Sequence, residues 1–260
     1  MQANNKDTIP RILHFCWYGG GKGNYVVRKC VSSFHKSGNG MVIKKWDESN
    51  FDDNNNSYVK EAFRQKKWAF VSDYIRLLSL YNYGGIYVDS DVEFKKAIPN
   101  ILYSYDLVLC YEYDDVISTA FIMAKPHHPF VKELLDYYSK LTFMGGGVTN
   151  NGIFTHAAID FFPDFTLNGL FHEFSSNCVI FPRYYFISPT YKKDGGYSVH
   201  HNLGSWHGNN YRHFGFLRPA FKFARFYCKP IYVWWQEKVN KKMITNHAAF
   251  YKIYRKYINN

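Results

Sequence analysis

The sequence predicts an α/β protein, a mostly parallel, Rossmann-like sheet flanked by helices. Three observations carry this. Short apolar runs alternate with stretches of helical periodicity from Arg11 to His200. Glycine-rich or polar punctuation separates the runs. The 260 residues are 47% hydrophobic and 20% charged, enough for one full core and at most a short appendage.

In chain order, Arg11–Trp17 reads as a buried first strand, closed by Gly19-Gly20-Gly21. Met41–Trp46 is a second strand. Residues 52–56 form a polar loop without the spacing of a calcium loop. Ser57 is expected to cap a helix running to about Gln65. A second helix runs from Trp68 to about Tyr81, with Ile75, Leu77, Leu78 and Leu80 at helical spacing. Gly84-Gly85 ends it. Ile86–Val88 is a short strand leading into Asp89-Ser90-Asp91. Leu107–Tyr111 and Thr119–Ala124 are further strands. Pro129 opens a helix with Phe130, Val131, Leu134, Leu135, Tyr138 and Leu141 on one side. Gly145-Gly146-Gly147 reads as a loop, and Val179–Phe181 and Tyr197–His200 as late strands.

Composition excludes several classes. The five cysteines are scattered and form no C-x-x-C pair, which argues against a disulfide framework or a zinc site and for reduced thiols. The polar start of the chain lacks the apolar core of a signal peptide. No apolar run reaches the length of about 18 residues that a membrane-spanning helix needs. The net charge of +11 is uneven. Residues 217–260 hold ten basic residues and one acid, a charge of +9, among eleven aromatics that include Trp234 and Trp235. The rest of the chain holds 22 basic and 20 acidic residues. A basic, aromatic terminus suits an anionic bilayer surface. An aromatic helix packed on the body with a solvated basic face is the plainer alternative. No nucleic-acid-binding motif is present.

Two places carry chemistry. Asp89-Ser90-Asp91 follows an apolar strand, at the edge where open α/β sheets bind ligands. Two carboxylates at i, i+2 can face one hard cation, Mn²⁺ or Mg²⁺. Asp73 and Arg76 share a face of the preceding helix. The second place is His200 to His207, where imidazoles are candidate transition-metal ligands. Trp17, at the end of the first strand, can stack on a nucleotide base. The glycine run 19–23 lacks the Ser or Thr that a Walker loop requires after its lysine, since Lys22 is followed by Gly23.

Taken together, these residues resemble the D-x-D glycosyltransferases of family 32, which include initiating α-1,6-mannosyltransferases and bacterial capsule transferases. They are also similar to the glucosylating domain of large bacterial toxins. The resemblance rests on Ile9–Trp17 with Gly19-Gly20, Ala69–Arg76, Tyr83–Asp91, and His201 through Ser205-Trp206. It implies a GT-A fold, here residues 1–216. Residues 217–260 lie outside the match, and their charge and aromatics lead us to expect a helical, basic membrane-associating extension. It implies a retaining, metal-dependent hexosyltransferase or N-acetylhexosaminyltransferase using a nucleotide-sugar, most simply a UDP-sugar. Trp17 would stack on the base, and Asp73 and Arg76 would hold the donor's hydroxyls. Tyr87 would line the donor pocket. Asp89, Asp91 and His201 would ligate Mn²⁺ or Mg²⁺, and Ser205 and Trp206 would contact the diphosphate. Asp91, Asp89 and Arg76 are the implied catalytic residues. The acceptor would be a saccharide, carried on polyprenyl diphosphate, in capsule or O-antigen synthesis. The protein would sit in the cytoplasm on the inner face of the membrane, with no nucleic-acid partner. Glu112, Asp114 and Asp115 are the candidates for a general base, or else a solvated acidic turn.

Two other classes compete. Val88-Asp89-Ser90-Asp91-Val92 fits the nucleophile motif of haloacid-dehalogenase-like phosphohydrolases, but that motif normally closes the first strand. A non-enzymatic protein of anionic membranes would explain the basic end and leave the D-x-D unexplained.

Overall fold

The computed structural model describes residues 8–37, 40–51, 56–143, 150–163, 165–203 and 228–242. Its elements are β1 (Ile12–Cys16), α1 (Tyr25–Ser37), β2 (Val42–Trp46), α2 (Ser57–Arg64), α3 (Trp68–Tyr83), β3 (Gly85–Val88), β4 (Val92–Phe94), a 3-10 turn (Asn100–Ser104), β5 (Leu107–Tyr113), β6 (Val116–Ile117), β7 (Phe121–Ala124), α4 (Pro129–Lys140), α5 (Asn150–Phe161), β8 (His172–Phe174), β9 (Cys178–Phe181) and β10 (Ser198–His200). A last helix, α6, covers 229–242.

The large sheet runs β2-β1-β3-β7-β5-β9-β8, with β6 paired to β5. Along that path five of the seven strands point one way, and β7 and β8 run against them. This is the mostly parallel α/β sheet that the sequence predicts. Strand alternation sends side chains to two cores. Leu107, Leu109 and Tyr111 of β5 pack with residues of α2, α3, α4 and α5 on one face. Val108 and Cys110 pack on the other face with Cys30 and Phe34 of α1. There Phe121 stacks on Phe186 with centroids 4.1 Å apart, an arrangement worth about 0.5–1.5 kcal/mol beyond area burial.

Some boundaries differ from the sequence reading for identifiable reasons. Asn56, not Ser57, caps α2, because its side chain accepts from the Val59 N–H at 3.1 Å. Helix α1 is capped by Asn24, whose side chain accepts from the Val27 N–H at 3.1 Å. The β-branched pair Val26-Val27 hides its helical character. All five cysteines are free thiols. The loop expected at 145–147 lies outside the described residues.

Helix α6 docks on the body. Tyr232, Gln236 and Asn240, at i, i+4 and i+8, are buried. Asn240 exchanges two hydrogen bonds with Asp114, donating from Nδ2 at 2.8 Å and accepting from the Asp114 N–H at 3.1 Å. The described middle of the 217–260 segment is therefore joined to the body rather than set apart from it. Its buried stripe joins one aromatic ring to two amides, a pattern that apolar periodicity does not announce. Among the described residues, no helix is long and apolar enough to cross a membrane.

Candidate active site

The site is built on the turn from β3 to β4. β3 lies tightly against β1, since a Cβ on Gly85, at φ +107°, would meet the Ile12 carbonyl oxygen at 2.4 Å. Only glycine tolerates that approach and that backbone. After β3, the Asp89 N–H donates to the Ala120 carbonyl at 3.0 Å, and the Val92 N–H donates to the Asp89 carbonyl at 3.0 Å. The turn thus leaves the large sheet at its carboxyl edge and enters a two-stranded sheet of β4 and β10. Antiparallel pairing of Val92 with His200 brings a distant histidine beside the two acids.

Ligand atoms of Asp89, Asp91 and His200 lie within 4.8 Å of one another. His200 Nε2 is 3.3 Å from Asp91 Oδ1, and its Nδ1 is 3.3 Å from Glu112 Oε1. His201 is not part of that cluster. Successive side chains about a strand point to opposite faces, so only one of the adjacent histidines can join the acids. His201 is buried and its Nε2 lies 2.9 Å from Glu93 Oε2. Its backbone N–H does serve the site, donating to the Asp91 carbonyl at 3.0 Å.

Two carboxylates and an imidazole suit Mn²⁺, and the carboxylates alone suit Mg²⁺. The three groups differ in their electrostatics. Burial would raise the Asp91 carboxyl, but the adjacent His200 and the Leu203 N–H, which donates to Oδ2 at 2.8 Å, hold it at about 2. Asp89 sits above the ordinary carboxylate range because burial outweighs the attraction of Arg76 and His200. Burial opposes a charge on His200, yet the flanking Asp91 and Glu112 raise its pKa well above the ordinary histidine value.

Behind the acids stands Arg76, only 4% exposed. Its guanidinium lies 2.9 Å from Asp73 Oδ1 and 3.4 Å from Asp89 Oδ1, and donates to the Ser72 and Thr119 carbonyls. The Tyr87 hydroxyl donates to Asp89 Oδ1 at 3.1 Å, and its ring is buried beneath the Arg76 guanidinium. Arg76 and Tyr87 thus reach the site through Asp73 and Asp89. Burial lifts Asp73 to about 6, against the pull of Arg76.

Trp17 follows β1 at the same sheet edge and is half-buried, with its indole N–H donating to the Gly21 carbonyl at 3.0 Å. Ser205 and Trp206 lie outside the described residues. Of the base candidates, Asp114 is held by Arg183 and Asn240, and Glu112 is buried. Asn150 was not anticipated. Its Nδ2 donates to Asp73 Oδ1 at 2.9 Å, and its Oδ1 accepts from the Tyr138 hydroxyl at 3.0 Å. The Asn150-Asn151 pair shortly after a glycine run carries no sequence signal for that role.

Comparison with known proteins agrees with the placement of the acids. The family described as "glycosyltransferase sugar-binding region containing DXD motif" matches residues 23–108, which include Asp89 and Asp91. The inositol phosphoceramide mannosyltransferase 1 of Schizosaccharomyces pombe is 26% identical over 141 residues. That alignment covers 52% of this chain and 44% of the relative, so the chain spans under half the length of the curated relative it matches. Among solved structures, the PaToxG glycosyltransferase superposes with a TM-score of 0.46 at 18% identity, covering 62% of this chain and 75% of the other. A glycosyltransferase involved in the glycosylation of the major capsid of PBCV-1 gives 0.36 at 11% identity, covering 67% and 83%.

Proposed function

We propose that this chain, whose residues 23–108 match the sugar-binding region of the DXD glycosyltransferases, transfers a sugar from a nucleotide-sugar donor to a saccharide acceptor. The observation that carries the reading is the cluster of Asp89, Asp91 and His200 at the carboxyl edge of β3. Its chemistry answers the demand of the reaction, in which a nucleoside diphosphate leaves with growing negative charge. A divalent ion there supplies Lewis-acid stabilisation of the leaving diphosphate.

The chain's own residues do the positioning. Asp89, Asp91 and His200 hold the ion. Arg76 and Tyr87 fix Asp89 from behind, and Asp73, held by Arg76 and Asn150, offers its carboxylate to donor hydroxyls. Trp17 stacks on the base at the neighbouring strand end. The finer reading is a UDP-hexose or UDP-N-acetylhexosamine donor, Mn²⁺ or Mg²⁺, and retention at the anomeric carbon. Retention without a protein nucleophile needs attack from the face the diphosphate leaves, and Glu112 and Asp114 are engaged within the protein. The fission yeast relative is by name a mannosyltransferase, which favours mannose as the second reading of the sugar.

The acceptor we propose is a polyprenyl-diphosphate-linked saccharide of capsule or O-antigen synthesis, met at the inner face of the membrane. The support is the charge of the 217–260 segment and the outer face of α6. That face exposes Ile231, Trp234, Lys238, Lys241 and Lys242, opposite the docked stripe. A panel of UDP- and GDP-sugars, assayed for hydrolysis with Mn²⁺, Mg²⁺ or EDTA, tests the donor and the ion. Metal-dependent turnover of one donor is expected, with the released or transferred sugar retaining its configuration by NMR. Release of phosphate from simple monoesters without sugar turnover would count for the phosphohydrolase class instead.

A further inference from the structure

Glu112 is a buried acid at the end of β5, 6% exposed, to which the proposed chemistry gives no task. The β5–β6 pairing slips register between Tyr111 and Tyr113, an irregularity of the kind that re-aims a side chain. Both carboxylate oxygens are engaged within the protein. Oε2 accepts from the Ser118 hydroxyl at 2.6 Å, and Oε1 lies 3.3 Å from His200 Nδ1. Ser118 is itself buried, and its oxygen accepts from the Ala120 N–H at 3.2 Å, on the residue whose carbonyl anchors Asp89. A carboxylate so committed does not reach toward an acceptor hydroxyl, which removes Glu112 from the general-base candidates.

We propose that Glu112 is the positioning residue of the metal ligand His200, taking its Nδ1–H so that Nε2 faces the ion shared with Asp89 and Asp91. A neutral imidazole carries one ring proton, and a hydrogen bond from one nitrogen decides which nitrogen is left to ligate. Carboxylates commonly serve metal-bound histidines in this way. Ser118 holds the carboxylate in turn, so the chain Ser118–Glu112–His200 fixes the ring's rotation. The inference rests on the metal-dependent reading above.

The test is Mn²⁺ binding to the full chain, read by electron paramagnetic resonance of free Mn²⁺, alone and with UDP. Glu112→Ala is expected to weaken affinity roughly 10–100-fold. Glu112→Gln should lose less, because an amide oxygen still accepts from Nδ1–H. In a His200→Ala background the same substitutions should change affinity by less than about twofold, because the residue through which Glu112 acts is gone. Unchanged affinity in Glu112→Ala, or an equal loss with and without His200, overturns the proposal. If Glu112→Ala does not fold, Glu112→Gln and its double variant carry the same comparison. Wild-type protein without Mn²⁺ affinity would sink the metal reading and this inference together. Mn²⁺ affinity indifferent to Glu112 sinks the inference alone.

Discussion

At the residue scale, the adjacent histidines separate what sequence can and cannot tell. The D-x-D was legible because both acids sit in one short turn after an apolar strand. The histidine of the cluster was legible only to within one residue, because strand register decides which of His200 and His201 turns toward Asp91. The two are expected to differ sharply on substitution. His200→Ala should cut Mn²⁺ affinity at least about tenfold, as loss of a ligand exceeds loss of its outer partner. His201→Ala should leave Mn²⁺ affinity near wild type and lower the melting temperature, because it strips Glu93 of a buried partner. The reverse result would restore His201 as the ligand. His14 allows a pH prediction. It donates from Nε2 to the Gly84 carbonyl at 2.9 Å and accepts from the Trp46 indole at 3.2 Å. Burial, with Lys44 nearby, lowers it to about 4, and burial likewise lowers His128 to about 4. Both groups take a proton less readily folded than unfolded. The unfolded chain therefore binds more protons between about pH 6.5 and 4, and stability falls as pH falls through that window. Each contributes at most about 3 kcal/mol. Urea unfolding across pH 7 to 4 should show the loss, and His14→Gln should make it shallower. An unchanged slope would mean that His14 is protonated in the fold.

At the element scale, α3, β3 and α4 were legible because each joins a clear apolar pattern to a terminator or opener, Gly84-Gly85 or Pro129. Helix α5 was not, because Asn150–Phe161 mixes a glycine, β-branched residues and aromatics without a polar stripe. Helix α6 was expected as a helix, and its docking matches the plainer alternative for this segment, but the residues that dock it were not expected. It is held by hydrogen bonds and an ion pair as well as by the buried ring of Tyr232. Tyr232 donates to the His200 carbonyl, Asn240 pairs with Asp114, and Glu237 lies 2.6 Å from Arg183. Removing residues 217–260 is therefore expected to disturb the body, by withdrawing partners from Asp114 and Arg183. Asn240→Ala is the finer test. Losing its reciprocal bonds to Asp114 costs roughly 1–3 kcal/mol, so amide exchange in α6 should speed up about fivefold or more. Exchange unchanged from wild type would show that the pair does not hold the helix.

At the scale of the whole molecule, charge and architecture divide the work. The sheet edge places the D-x-D turn, His200 and Trp17 together, and the basic segment supplies most of the net charge of +11. Lys238 and Lys242 are exposed away from the docked stripe of α6, so replacing them with glutamate leaves Tyr232, Gln236 and Asn240 in place. Each basic residue near an anionic leaflet contributes roughly 1 kcal/mol, and screening shortens from about 10 Å at 0.1 M salt to about 3 Å at 1 M. The double variant should sediment less with anionic vesicles, and high salt should release much of the wild-type protein. Persistent sedimentation of the variant would remove α6 from the membrane contact. The central claim, that the β3–β4 turn holds a divalent ion for diphosphate departure, has a more direct test. Calorimetric titration of UDP into the full chain, with Mn²⁺ and with excess EDTA, should show binding that depends on the ion. Asp91→Asn should abolish that dependence and slow donor turnover at least about 100-fold, as loss of one strong electrostatic contact does. UDP binding and turnover undiminished in EDTA, or in Asp91→Asn, would contradict the account.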